Sequence, residues 1–203
     1  MSNRKSPPTP IMPPWRPVLE PASGDADLTW AYPWPAGERL AADLAAVVDC
    51  RGLRVAELGC GRGRTGLTAL LLGAAEVLFA DIAAEPLTYV SVALEVNQVQ
   101  NRGRTAVHAW GDPLPGGPFD LLIGADILYR PAFHAALLRT IASSLAPLGY
   151  CLLADPRTEL EAELPTLAGA CGLSWQPQRR ANHYTLVTVD KIPHMLGNFC
   201  SNR

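Results

Sequence analysis

The residues with the clearest chemical meaning form the run Val55-Ala56-Glu57-Leu58-Gly59-Cys60-Gly61-Arg62-Gly63, followed further along by Asp81. Glycines at a strand-to-helix turn take up backbone angles that other residues avoid, and they let a ligand approach the main chain with no Cβ in the way. The helix expected after them offers N–H groups with no intrahelical partner. The acid two residues before the first glycine favours a site for a methyl donor, while the glycine spacing leaves a dinucleotide site open. Asp81 ends the next apolar strand, where an acid can accept hydrogen bonds from ribose hydroxyls; both kinds of cofactor carry these. Capping of a nearby helix or loop is the competing role for Glu57 and Asp81.

Other residue types set limits. The cysteines (Cys50, Cys60, Cys151, Cys171 and Cys200) and the histidines (His108, His134, His183 and His194) show no metal-ligand spacing, so no metal site is expected. Scattered free thiols fit a reducing compartment, and the cytoplasm is the expected location. The net charge is -2 and the arginines come in short groups, so no nucleic-acid partner is expected. The apolar stretch from Leu67 to Ala75 is too short to span a bilayer, and no membrane association is expected. The start Met1-Ser2-Asn3-Arg4-Lys5 runs into prolines rather than into an apolar segment, so no signal peptide is read there.

The elements that must position these residues follow from periodicity. Seven prolines between Pro7 and Pro21 mark residues 1–27 as a tail without a place in the sheet. The spacing predicts a helix from Gly37 to Val48, then alternating strands and helices. The strands are Arg54–Leu58, Glu76–Ala80, Ala106–Trp110, Asp120–Ala125 and Tyr150–Ala154. The intervening helices are Arg64–Leu72, Glu85–Gln100, Phe133–Leu145 and Glu159–Ala170. Two closing strands, Ser174–Gln176 and Tyr184–Val189, complete the pattern. This is an α/β chain with a Rossmann-like, seven-stranded, doubly wound sheet and a C-terminal antiparallel hairpin. The domain is expected over residues 28–190, with a tail of no assigned role at 191–203.

The run from Trp30 to about Arg157 resembles the class I seven-strand protein-lysine methyltransferases, in the branch of nicotinamide N-methyltransferase-like and electron-transfer-flavoprotein β-subunit lysine methyltransferase-like proteins. The resemblance rests on Trp34-Pro35-Ala36-Gly37, the glycine loop, Ala80-Asp81-Ile82, Asn97 with Asn101, and Ala109-Trp110-Gly111. It continues in Gly124-Ala125-Asp126-Ile127-Leu128-Tyr129 and Ala154-Asp155-Pro156-Arg157. It implies S-adenosylmethionine as cofactor and a protein lysine as acceptor. It also implies that Trp34, Glu57, Gly59, Cys60, Gly61, Asp81, Ile82, Trp110 and Ala125 surround the cofactor. Trp34 would pack near the methionine part and Trp110 against the adenine. Asp126 and Tyr129, the expected catalytic pair, would stand where the acceptor nitrogen arrives.

Methyl transfer from a sulfonium is a direct displacement in which the leaving group departs neutral, so alignment is the main source of rate. A lysine must also lose its proton, which a partly apolar channel favours and a lone carboxylate opposes. The fourth strand is not followed by the Asn-Pro-Pro-Tyr tetrad used to grip a planar amide nitrogen, which favours an amine. A small-molecule N- or O-methyltransferase, a non-catalytic cofactor-binding module and a nicotinamide-dependent reductase remain the alternatives.

Overall fold

Along the central strands alternate side chains are apolar on both faces, as a sheet covered by helices on each side requires. The computed structural model describes residues 8–13, 30, 32–157, 162–180 and 184–192. In chain order its elements are α1 (Pro35–Val47), β1 (Arg54–Leu58), α2 (Arg64–Leu71), β2 (Glu76–Asp81), α3 (Glu85–Val96) and β3 (Gly103–Val107). They continue with β4 (Phe119–Ala125), α4 (His134–Ser144), β5 (Leu145–Asp155), α5 (Leu164–Ala170), β6 (Gln176–Arg180) and β7 (Tyr184–Asp190). The sheet has seven strands in the order β3-β2-β1-β4-β5-β7-β6. The first five run parallel, and β7 pairs antiparallel with both β5 and β6.

Each face carries its own core. Val55, Val77, Phe79, Leu121 and Ile123 pack with Leu40 and Leu44 of α1, Leu67 and Leu70 of α2, and Val90 and Leu94 of α3. Their chain neighbours Ala56, Leu78 and Leu122 turn to the other face, with Leu137, Leu138 and Ile141 of α4 and Leu164 of α5. The strand order reverses between β1 and β4, so the connections leaving these two strands diverge and open a crevice at their C-terminal ends. The glycine loop follows β1 at that point, and Asp126 follows β4. No helix of the described residues is long and apolar enough to cross a membrane.

Several boundaries differ from expectation. The third strand ends at Val107, so Trp110 does not close it; Trp110 lies in the following loop, bridged to Asp112. β3 is an edge strand with Arg104 and Thr105 exposed, and an exposed edge gives no apolar pattern to read. β6 spans Gln176–Arg180 rather than Ser174–Gln176, again a polar edge defined by backbone pairing with β7. The helix expected from Glu85 to Gln100 stops at Val96 because Gln98 adopts a left-handed φ of 57°. Residues 159–161 of the expected Glu159–Ala170 helix lie outside the described residues, as do most of both expected tails.

Residues 8–13 join no strand, in keeping with their prolines, but are held against the domain. Asn97, just past α3, accepts the Ile11 N–H at 2.8 Å and donates from Nδ2 to the Ile11 carbonyl at 2.7 Å. The Pro13 carbonyl accepts from the Tyr89 hydroxyl and from Arg62. The Arg62 guanidinium lies 4.7 Å from the Tyr89 ring centre. An arginine of the glycine loop therefore helps to hold the N-terminal segment against α3.

Candidate functional site

The loop after β1 is shaped by its glycines. Gly59, Gly61 and Gly63 have φ of 57°, 48° and 71°, all in the left-handed region. Space constrains them as well. A Cβ on Gly59 would stand 2.9 Å from Ile127 Cγ2, and one on Gly63 would stand 2.8 Å from Val90 Cγ2. Asp81 ties this loop to the end of β2. Its Oδ2 accepts the Gly61 N–H at 2.9 Å and its Oδ1 accepts the Ala83 N–H at 3.0 Å. A carboxylate oxygen has a second lone pair, and Asp81 also lines the cavity described below.

Glu57 lies beneath the loop. Burial pushes its carboxyl up to about 8, opposed by hydrogen bonds from the Gly66 N–H and from Thr65. The Gly66 contact measures 3.0 Å. A Cβ on Gly66 would lie 2.5 Å from Phe79 Cε1 and 2.7 Å from Glu57 Oε2. Gly66, in the first turn of α2, is thus required by the acid's position. The sequence analysis did not single it out, since its helical setting gives no turn signal.

A cavity of about 470 Å³ opens at the crevice, within the usual range for a small-molecule site. All eleven residues singled out from the sequence line it: Trp34, Glu57, Gly59, Cys60, Gly61, Asp81, Ile82, Trp110, Ala125, Asp126 and Tyr129. Trp110 meets Phe133 edge-on, with ring centres 6.4 Å apart, and Ile82 is 72% exposed. All three side chains line the cavity, as does Asp81. Phe133, His108, Thr65, Met12 and Trp30, which no motif in the sequence marks, also line the cavity. The Trp30 carbonyl would be 3.2 Å from a Cβ on Gly61, so the main chain there closes over the loop. Met12 reaches the cavity because Asn97 and Tyr89 hold its neighbours, a contact between side chain and backbone that no spacing reveals.

Further aromatic side chains line the cavity. Tyr32 and Trp34 lie with ring centres 6.1 Å apart, tilted by 58°. Tyr129 is 44% exposed, and the guanidinium carbons of Arg130 and Arg157 lie 5.3 Å and 5.9 Å from its ring centre. Arg157 also pairs with buried Asp155. Asp126 is placed differently from Tyr129. It is only 8% exposed, and its Oδ2 accepts the Ala36 N–H of α1 at 2.8 Å. Burial raises its carboxyl above the ordinary range, and the hydrogen bonds from Ala36 and Gly37 partly offset this.

A family profile described as lysine methyltransferase matches residues 33–163. Protein N-lysine methyltransferase METTL21A of Danio rerio is 40% identical over 101 residues, which are 46% of this chain and 45% of that protein. EEF1A lysine methyltransferase 3 of Mus musculus is 35% identical over 130 residues, 57% of this chain and 51% of that protein. The chain therefore spans about half the length of the curated relatives it matches. Among solved structures, a TehB-like SAM-dependent methyltransferase from Corynebacterium glutamicum superposes with a TM-score of 0.63 at 20% identity, covering 81% of this chain and 92% of that one. At that identity the likeness shows the fold alone.

Proposed function

Since the chain belongs to the lysine methyltransferase family, we propose that it transfers a methyl group from S-adenosylmethionine to the amine of a protein lysine. The observation that carries this reading is the continuity of the cavity, which runs from Asp81 and Trp110 past the glycine loop to Tyr129. A cofactor and an acceptor can meet only in a space joined in this way.

The residues present fit the cofactor. Bare backbone at Gly59 and Gly61 leaves room for a methionyl-ribose unit, and Asp81 has lone pairs for ribose hydroxyls. The Trp110 ring, which lines the cavity, suits a purine face, since stacking a base on an aromatic contributes about 1–3 kcal/mol. Glu57, Cys60 and Ala125 form the floor, and Trp34 stands at the methionyl end. When bound, the cofactor supplies an electrophilic methyl whose sulfur leaves uncharged.

The rest of the work is positional. Trp34, Tyr32 and Tyr129 narrow the mouth and exclude water, which aligns an incoming amine with the methyl. The amine must arrive neutral, and desolvation among aromatic rings lowers its pKa. The positive charge of Arg130 beside Tyr129 acts in the same direction. The described cysteines are free, three of them buried, which supports a reducing compartment such as the cytoplasm.

Calorimetric titration with S-adenosylhomocysteine and, separately, with NADH tests the cofactor assignment. Saturable heat with the first alone supports it. Heat with NADH alone would move the glycine loop to the dinucleotide binders.

A further inference from the structure

We infer that Asp126 is a positioning residue, fastening the first turn of α1, and with it the Trp34 wall of the cavity, to the end of β4. Helix α1 begins without a side-chain cap of its own. Trp34 occupies the N-cap position and Pro35 the first turn. The free N–H groups of that turn need acceptors, and in a buried setting an unmet N–H is costly. Asp126, 90 residues further on, supplies one: its carboxylate takes the Ala36 N–H at 2.8 Å. The Gly37 N–H also bonds to it. A negative group there is favoured further by the helix dipole.

The surroundings are arranged around this contact. Asp126 holds a left-handed φ of 56°, unusual for a residue with a side chain, and its own N–H donates to Ala154 in β5 at 2.9 Å. A Cβ on Gly37 would stand 3.7 Å from the Ala125 Cβ, so the first turn of α1 lies directly on the end of β4. On its other side, Glu38 pairs with Arg64 at 2.6 Å, tying the same turn to the first residue of α2. The turn therefore bridges β4 and the glycine loop, with Trp34 at its start and 47% exposed at the cavity. Asp126 thus acts on the site through α1. Its carboxylate holds main-chain N–H groups of α1 while also lining the cavity.

The influence on the cofactor rests on the methyltransferase reading; the cap itself does not. Both are tested with Asp126→Ala and Asp126→Asn in the full chain, because Asn keeps one acceptor oxygen and drops the charge. Amide hydrogen exchange reads the cap. Exchange at Ala36 and Gly37 should quicken about tenfold in Asp126→Ala, the effect of a lost helix cap, and recover in large part in Asp126→Asn. Affinity for S-adenosylhomocysteine should fall several-fold in Asp126→Ala and follow the same recovery. Methyl transfer to the acceptor found by labelling should return in Asp126→Asn along with affinity. If Asp126→Ala does not fold, the Asn variant carries the test.

Three results would overturn the inference. Unchanged exchange would remove the cap. Faster exchange with unchanged affinity would leave Asp126 structural only. An Asn variant that binds the cofactor normally but transfers no methyl would show that the carboxylate acts on the acceptor directly. A wild-type chain that binds no S-adenosylhomocysteine would end the methyltransferase reading and the cofactor half of this inference with it. The exchange data need no ligand and would still decide the cap.

Discussion

The amide of Gly61 donates to a carboxylate oxygen of Asp81 at 2.9 Å, joining the glycine loop to the end of the neighbouring strand. The Ala83 amide donates to the other oxygen at 3.0 Å. One acid therefore ties the loop to β2 and also lines the cavity. Its two duties are inseparable by position.

Asp81→Ala should accordingly show two effects. Loss of a charged hydrogen-bond partner should weaken S-adenosylhomocysteine binding by about 1.5–3 kcal/mol. The melting temperature should also fall, because the Gly61 and Ala83 amides lose their acceptor. Calorimetry and a thermal melt on the same preparation separate the two. A lowered melting temperature with full affinity would confine Asp81 to the fold.

Glu57 should make stability depend on pH. Its carboxyl is raised to about 8 in the fold, against an ordinary value of 4.5. The folded chain therefore binds this proton more tightly than the unfolded chain. The contribution is fully present below the unfolded value and is lost as pH rises through about 8. Glu57→Gln has no proton to lose, so the wild-type melting temperature should drop relative to this variant between pH 5 and pH 8. Parallel curves for the two proteins across that window would contradict the assignment.

Asn97→Ala should release the N-terminal segment. The side chain grips both the N–H and the carbonyl of Ile11, and Met12 beside it lines the cavity. Amide exchange at Ile11 should rise clearly above wild type, and S-adenosylhomocysteine should bind more weakly. If the Ile11 amide exchanges at the same rate in both proteins, Asn97 is not what holds the segment.

Tyr129→Ala should leave cofactor affinity nearly unchanged and lower methyl transfer strongly, since the ring lines the cavity and is 44% exposed. A loss in kcat and in kcat/KM of similar size is the mark of an interaction made in the transition state. Lost cofactor binding with normal turnover at saturating cofactor would instead put Tyr129 among the cofactor's contacts.

The parts of this site that were legible in the sequence are those whose physics is local. Val55 to Leu58 and Asp120 to Ala125 read as buried strands because both faces are covered by helices, leaving runs that are apolar apart from Glu57 and Asp120. The glycines of the loop read as a turn because their left-handed angles exclude most other residues. β3 and β6 were misplaced because edge strands such as Gln176–Arg180 are held by backbone bonds to which side chains give no clue. The grip of Asn97 on Ile11 was hidden for the same reason. Asp126 was found but its hydrogen bond to α1 was not, because its partner Ala36 contributes an amide, and every residue but proline has one.

The central claim is most directly tested by the fate of the methyl group. The purified protein is incubated with S-adenosylmethionine labelled in its methyl carbon and a protein extract, and labelled proteins are digested and sequenced by mass spectrometry. The account predicts label on the side-chain nitrogen of a lysine within a protein, absent when Tyr129→Ala replaces the wild-type enzyme. Label confined to small molecules, or to another side chain, would contradict it.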